Sequence, residues 1–187
     1  MIGHNRGPGL EPGTSWRRHC WTQARARLLP TLPIEVVRLR VKRAAEIGLG
    51  YHTYASIRAA SGQDVIALLF STNALRLLHP RAQLSAERRA KLTALSATGL
   101  GALANAPLTP DTIRAIAPDL FDTVAAAPPP FAPWADTRRH LLTALAPQKW
   151  PADRVVMIGD TAEERDWTQA ARLAWYLPAD HYFSPPS

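Results

Sequence analysis

Two carboxylates four residues apart, Asp160 and Glu164, follow a short apolar run in the stretch DRVVMIGDTAEERDW. Carboxylates can bind a metal ion or transfer a proton, so this spacing is a candidate for chemistry. The same segment also has a purely structural interpretation, because Thr161 and Glu164 have the spacing of a capping box at the start of a helix. Both interpretations remain open from the sequence.

Further polar residues follow two other apolar runs. Ser71, Thr72 and Asn73 come after VIALLF, and Asn105 comes after GLGALA. If these runs are parallel strands, their carboxyl ends lie at the same edge of a sheet, which is where α/β proteins bind ligands. We therefore expect these side chains and Asp160 to form one rim that can hold an anion. Ser71, Thr72 and Asn73 can equally cap a following helix.

The elements that must position this rim are short apolar runs separated by helical segments. The pattern predicts strands near 65–70, 100–104 and 155–158, and helices near 86–95, 110–116, 135–145 and 162–176. Buried apolar strands that alternate with helices are typical of a parallel sheet covered on both faces. We predict an α/β, Rossmann-like domain over residues 63–183, with a small parallel sheet of three or more strands sandwiched by helices.

The region before this domain is basic. Residues 1–90 hold 14 Lys and Arg against 5 Asp and Glu, whereas residues 91–187 hold 8 against 10. Apolar residues at helical spacing predict helices over about 15–29, 33–47 and 53–60, so residues 15–62 are interpreted as a basic, all-helical segment. Residues 1–14 and 184–187 are expected to be flexible tails. This asymmetry of charge favours nucleic acid or another polyanion as a partner.

Seven basic residues of the front segment are candidate contacts for nucleic-acid phosphates: Arg17, Arg18, Arg25, Arg38, Arg40, Lys42 and Arg43. Trp16 and Trp21 lie among the first of them and could stack on bases. Alternatively, the tryptophans pack on the domain while the arginines face solvent, or they contact a protein partner, since tryptophan is frequent in protein interfaces.

The sequence also bears on the compartment. A single cysteine, Cys20, excludes an internal disulfide and fits a reducing environment. No apolar run approaches the roughly 20 residues that a membrane-spanning helix requires. We expect a cytoplasmic protein that does not associate with membranes.

The segment VVMIGDTAEERDWTQAARLAWY resembles the last motif of the haloacid-dehalogenase-like (HAD-like) superfamily. That motif is a hydrophobic strand that ends in Gly-Asp and is followed by a second acidic residue and an alanine-rich helix. The resemblance extends over about residues 63–183. It implies that the domain is a degenerate member of this superfamily and that Asp160 and Glu164 bind Mg²⁺, since oxygen ligands suit that ion.

The first motif of that superfamily differs in this chain. The superfamily has two aspartates separated by one residue, with the nucleophile first and the general acid second; on VIALLFSTNALRL these positions become Ser71 and Asn73. Both carboxylates are missing, and no neighbouring histidine or lysine is placed to activate the serine. Asn105 falls at the end of the second motif, which binds phosphate. No lysine stands at the third motif, where Lys149, Arg138 or Arg139 are the available cations.

These departures predict a pseudoenzyme that acts by binding, with nucleic acid as the first candidate partner. One alternative is a divergent Mg²⁺-dependent phosphoester hydrolase or phosphate-ligand binder. In that case Asp160 and Ser71 are catalytic, Asp160 and Glu164 bind the metal, and the phosphate is bound by Ser71, Asn73 and Asn105. The other alternative is a protein-interaction module in which the front helices bind a partner.

Overall fold

The computed structural model describes residues 32–184 and has an α/β fold with a five-stranded, all-parallel sheet. The predicted fold class is confirmed, and the sheet agrees with the expectation of three or more parallel strands. The strands lie in the order β3-β2-β1-β4-β5. Their bounds are β1 (Ala67–Ser71), β2 (Gly99–Ala104), β3 (Thr123–Ala126), β4 (Val155–Gly159) and β5 (Trp175–Pro178).

Seven α-helices lie within the described residues: α1 (Ile34–Glu46), α2 (Tyr51–Ser61), α3 (Ala86–Thr93), α4 (Pro110–Ile116), α5 (Trp134–Leu145), α6 (Ala162–Ala171) and α7 (Ala179–Phe183). Side-chain caps set the starts of three of them, because Ser85, Thr109 and Thr161 each accept a backbone N–H of the first turn. Within residues 32–184 no helix is both long and apolar enough to cross a membrane. The helix predicted over 15–29 and the tail at 1–14 lie outside the described residues.

The sheet belongs to a compact unit that begins at Arg38. Successive residues of the buried strands point to opposite faces of the sheet. On one face, Leu68 and Phe70 share a core with Tyr54 and Ile57 of α2. On the other face, Ala67 and Leu69 share a core with residues of α5 and α6. The central strands β1, β2 and β4 are therefore covered on both sides, whereas the edge strands β3 and β5 are partly exposed.

The sequence patterns missed two strands and misplaced two helical segments. The pattern predicts a helix over 162–176, but α6 ends at Ala171 because Arg172 adopts a left-handed conformation with φ 56°, and β5 follows. No helix follows Ser71 either, since the backbone from Thr72 to Leu77 forms a compact turn closed by the Leu77 N–H on the Thr72 carbonyl at 2.8 Å. β3 and β5 are the edge strands of the sheet.

Candidate functional site

The predicted rim lies at the carboxyl ends of β1 and β4. These strands are parallel neighbours, with Ala67 opposite Val155 and Phe70 opposite Ile158. The order of the sheet reverses here, because β2 and β3 lie on one side of β1 while β4 and β5 lie on the other. Such a switch point leaves a crevice between diverging loops, and it is the usual ligand site of an open parallel sheet.

Glu164 is the centre of this site and is fully buried, with 0% of its surface exposed. Its Oε2 accepts the backbone N–H groups of Asp160 at 2.6 Å and Thr161 at 3.1 Å. Its Oε1 accepts the side-chain amide of Asn73 at 2.9 Å and that of Asn105 at 3.4 Å. Four N–H donors thus surround one carboxylate, and hydrogen bonds of this kind offset the cost of burying such a group.

The local sequence explains how Glu164 reaches this position. Thr161 and Glu164 form the predicted capping box, in which the Glu164 N–H donates to Thr161 Oγ1 at 3.2 Å. Gly159 provides the space, since a Cβ there would lie 2.9 Å from Glu164 Oε2 and 2.6 Å from the Tyr176 ring. Because Gly159 has no side chain, the Glu164 carboxylate can pack against the carboxyl end of β4.

The same network gives a physical reason for the amide at position 73. Asn73 Nδ2 donates to the buried carboxylate of Glu164. An aspartate at position 73 would place a second negative charge against Glu164 in a site of low dielectric constant, where like charges repel strongly. With Glu164 buried in this way, a donor fits position 73 and a carboxylate does not.

Ser71 and Thr72 are also buried and hydrogen-bonded within the protein. Ser71 Oγ accepts the backbone N–H of Ala74 at 3.0 Å, which closes the turn after β1. Thr72 Oγ1 donates to Asn105 Oδ1 and accepts the Asn105 N–H, both at 3.0 Å, so the turns after β1 and β2 are joined. The side-chain amides of Asn73 and Asn105 and the N–H of Asp160 face the Glu164 carboxylate, whereas the Ser71 hydroxyl is bonded within its own turn.

Asp160 occupies the solvent side of the site. Its Oδ2 accepts Arg76 Nη1 at 2.8 Å, and Arg76 Nη2 donates to Asp180 Oδ1 at 3.2 Å. Sequence reasoning missed both Arg76 and Asp180. Arg76 lies only five residues beyond β1, but it has a left-handed backbone with φ 58°, which non-glycine residues rarely adopt and which no letter of NALRL indicates.

The resemblance implies a magnesium ion held by Asp160 and Glu164, and these residues do not fit one. Magnesium requires oxygen ligands with free lone pairs in octahedral geometry. Both oxygens of Glu164 already accept N–H groups. Asp160 already pairs with a guanidinium. Within the described part of the chain, no three His, Cys, Asp or Glu side chains form a group suited to a metal ion.

The cations considered for the third motif lie in other contacts. Arg138 donates to the carbonyl of Ala170 at 3.4 Å, and Arg139 pairs with Asp136 at 2.7 Å. Lys149 is exposed at the end of the turn that follows α5. Arg76, from the turn after β1, is instead the cation that contacts the rim.

The predicted basic surface is described only in part. Arg17, Arg18 and Arg25 lie outside the described residues, whereas Arg38, Arg40, Lys42 and Arg43 lie on α1. Arg43 is a structural residue, because its guanidinium donates to the carbonyls of Val65 at 2.8 Å and Ala97 at 3.0 Å. Arg38 and Lys42, one helical turn apart, are exposed, and Arg40 is half-buried.

Comparisons of this chain with family models, with curated proteins and with solved structures found no match.

Proposed function

We propose that this protein is a HAD-like domain that has lost phosphoryl-transfer chemistry and acts by binding, with nucleic acid or another polyanion as its partner. The observation that carries the first part is the buried Glu164 carboxylate, whose two oxygens accept four N–H groups of the protein. A carboxylate engaged in this way holds the strand ends together and does not hold a metal ion.

The relation to the HAD-like superfamily is supported by the position of the Gly-Asp motif. Gly159 ends β4, β4 lies directly beside β1, and the capping box of α6 follows. The two segments that resemble the first and last motifs therefore meet at one sheet edge. The resemblance requires this adjacency, since its nucleophile and its metal ligands must act on one phosphate.

The loss of catalysis is supported by the residue at the nucleophile position. Ser71 is fully buried, and its hydroxyl oxygen accepts the N–H of Ala74. A serine needs a base to remove its proton, and among its described hydrogen-bond partners there is no imidazole, amine or carboxylate. This environment disfavours the alternative of a divergent Mg²⁺-dependent phosphoester hydrolase.

The proposal of a polyanionic partner is supported by charge. The chain carries a net charge of +7, and the excess lies in the first ninety residues. Two of these cations, Arg38 and Lys42, are exposed on α1. A basic face that attracts the phosphate backbone releases counterions on binding, which gives such complexes a strong dependence on salt.

The test is fluorescence anisotropy of the whole chain with labelled single- and double-stranded oligonucleotides over a series of salt concentrations. We expect affinity to fall steeply between about 50 and 200 mM salt. In the double variant Arg38→Gln/Lys42→Gln, the slope of log K against log[salt] should fall by about 2 on double-stranded DNA, since each phosphate contact contributes about 0.9. The variant Lys149→Gln/Arg154→Gln, which removes two exposed cations outside α1, is the control and should change the slope little.

No binding at low salt would refute the polyanion proposal while leaving the proposed loss of catalysis intact. A protein partner is then the second candidate, and α1 supports it as well. Leu39 is 67% exposed and Val41 is 46% exposed on this helix. Apolar side chains beside cations on one helix are typical of protein interfaces, and binding through them would survive high salt.

A further inference from the structure

A cavity of about 520 Å³ lies among the loop that joins α1 to α2, the last turn of α3, the strand β5 and the helix α7. It is separate from the rim at the ends of β1 and β4, since none of the rim side chains lines it. Sites for small molecules usually have volumes of about 300–1,000 Å³, with apolar walls and a few polar groups. The volume of this cavity therefore suits a small organic molecule.

Two glycines of the loop between α1 and α2 line this cavity without adding a side chain to it. Gly48 has φ 67°, a conformation that glycine adopts freely, and a Cβ there would lie 2.8 Å from the Leu95 side chain. At Gly50 a Cβ would meet no atom within 4 Å, so there is open space beside this residue. The chain therefore passes from α1 to α2 with little bulk at the cavity wall.

The remaining wall combines apolar side chains with hydrogen-bond donors. Leu49 and Leu177 are buried and provide apolar surface. Lys91, His52 and His181 line the same space, and an ammonium or an imidazole can donate N–H groups to a ligand. Among the described residues that line the cavity there is no aspartate or glutamate. The lining is therefore complementary to an apolar molecule that carries a negative charge.

Lys91 is the cation of this lining, and its side chain is half-buried. Its ammonium donates to the Tyr182 carbonyl and lies 4.4 Å from the centre of the Tyr182 ring. In residues 32–184 no carboxylate forms an ion pair with it, and burial lowers the pKa of the amine. An ammonium has three N–H donors, so the bond to Tyr182 leaves two for a ligand. An anion in the cavity would offset the cost of burying this charge.

We infer that the cavity binds a small organic anion, with the apolar part of the ligand against Leu49 and Leu177 and its acidic group on the Lys91 ammonium. The choice of an anion rests on charge, because the described lining holds a cation and no acid. Hydrogen bonds from a charged donor to a charged acceptor are about twice as strong as neutral ones. The inference is independent of the proposed function, since it uses neither the Gly-Asp motif nor the surface of α1.

The test uses two fluorescent probes that share one ring system. Anilinonaphthalene sulfonate is the anionic probe, and phenylnaphthylamine, which lacks the sulfonate, is the neutral one. In titrations of the whole chain we expect one saturable site with higher affinity for the sulfonate. Lys91→Met keeps a side chain of similar length and removes the charge, so it should weaken sulfonate binding about tenfold or more and neutral-probe binding less than about twofold.

A matched control and a second measurement locate the bound probe. Lys42 is an exposed cation near the exposed Leu39 on α1, so Lys42→Met tests whether the dye binds there instead, and it should change neither affinity. In NMR spectra of the unaltered protein, the sulfonate should shift the amide signals of Gly48, Gly50 and Leu177. Equal affinity for the two probes, unchanged sulfonate binding in folded Lys91→Met, or the absence of shifts at these amides would overturn the inference.

Discussion

The candidate site has a buried half and an exposed half, and each contains one carboxylate of the Gly-Asp motif. Glu164, in the buried half, is surrounded by uncharged N–H donors from three segments of the chain. Asp160, in the exposed half, pairs with a single charged side chain. The comparison shows that two acidic residues four positions apart can have different roles: Glu164 joins buried segments of the chain, whereas Asp160 forms an ion pair near solvent.

The largest expected effect is on the buried half. Glu164→Ala leaves the N–H groups of Asp160, Thr161 and Asn73 without their acceptor, and a buried donor without a partner costs about 1–3 kcal/mol. We expect the free energy of unfolding to fall by about 3 kcal/mol in urea denaturation. Glu163→Ala, on the adjacent exposed glutamate, is the control and should cost less than about 1 kcal/mol. Similar losses in the two variants would show that Glu164 is an ordinary first-turn glutamate.

The smallest expected effect is on the exposed half. Asp160→Asn removes a charge that pairs with Arg76 near solvent, and exposed ion pairs contribute about 0.2–1 kcal/mol. Urea denaturation should therefore show a loss below about 1 kcal/mol, which decreases further at high salt because exposed charges are screened. A loss as large as that of Glu164→Ala would remove the distinction between the two halves.

Sequence patterns predicted most of the sheet. β1, β2 and β4 are continuous apolar runs because both of their faces are buried, and such runs are distinctive. β3 and β5 lie at the edges and are four residues each, with mostly half-buried side chains, so they lack this signal. β5 was also missed because the alanine-rich pattern of α6 continues in the sequence past Ala171 and predicts helix there. The backbone instead leaves the helix at Arg172.

Within the site, sequence patterns predicted only the contacts between residues that are close in the sequence. The partners in the capping box, Thr161 and Glu164, are three positions apart, so their spacing is visible in the sequence. The bond from Asn73 to Glu164 joins residues 91 positions apart, and no pattern of letters specifies it. Arg76 was missed for a related reason: its contact depends on a left-handed backbone at a residue that gives no sign of one.

The most direct test of the difference between the two halves is a pair of double-mutant cycles measured by urea denaturation. One cycle combines Asn73→Ala with Glu164→Ala, and the other combines Arg76→Ala with Asp160→Ala. We predict a coupling energy of about 1.5–3 kcal/mol for the buried pair, as for hydrogen bonds to a buried charge, and at most about 1 kcal/mol for the exposed pair. Equal coupling energies, or a larger one for Arg76 with Asp160, would contradict the assignment of Glu164 as the structural centre of the site.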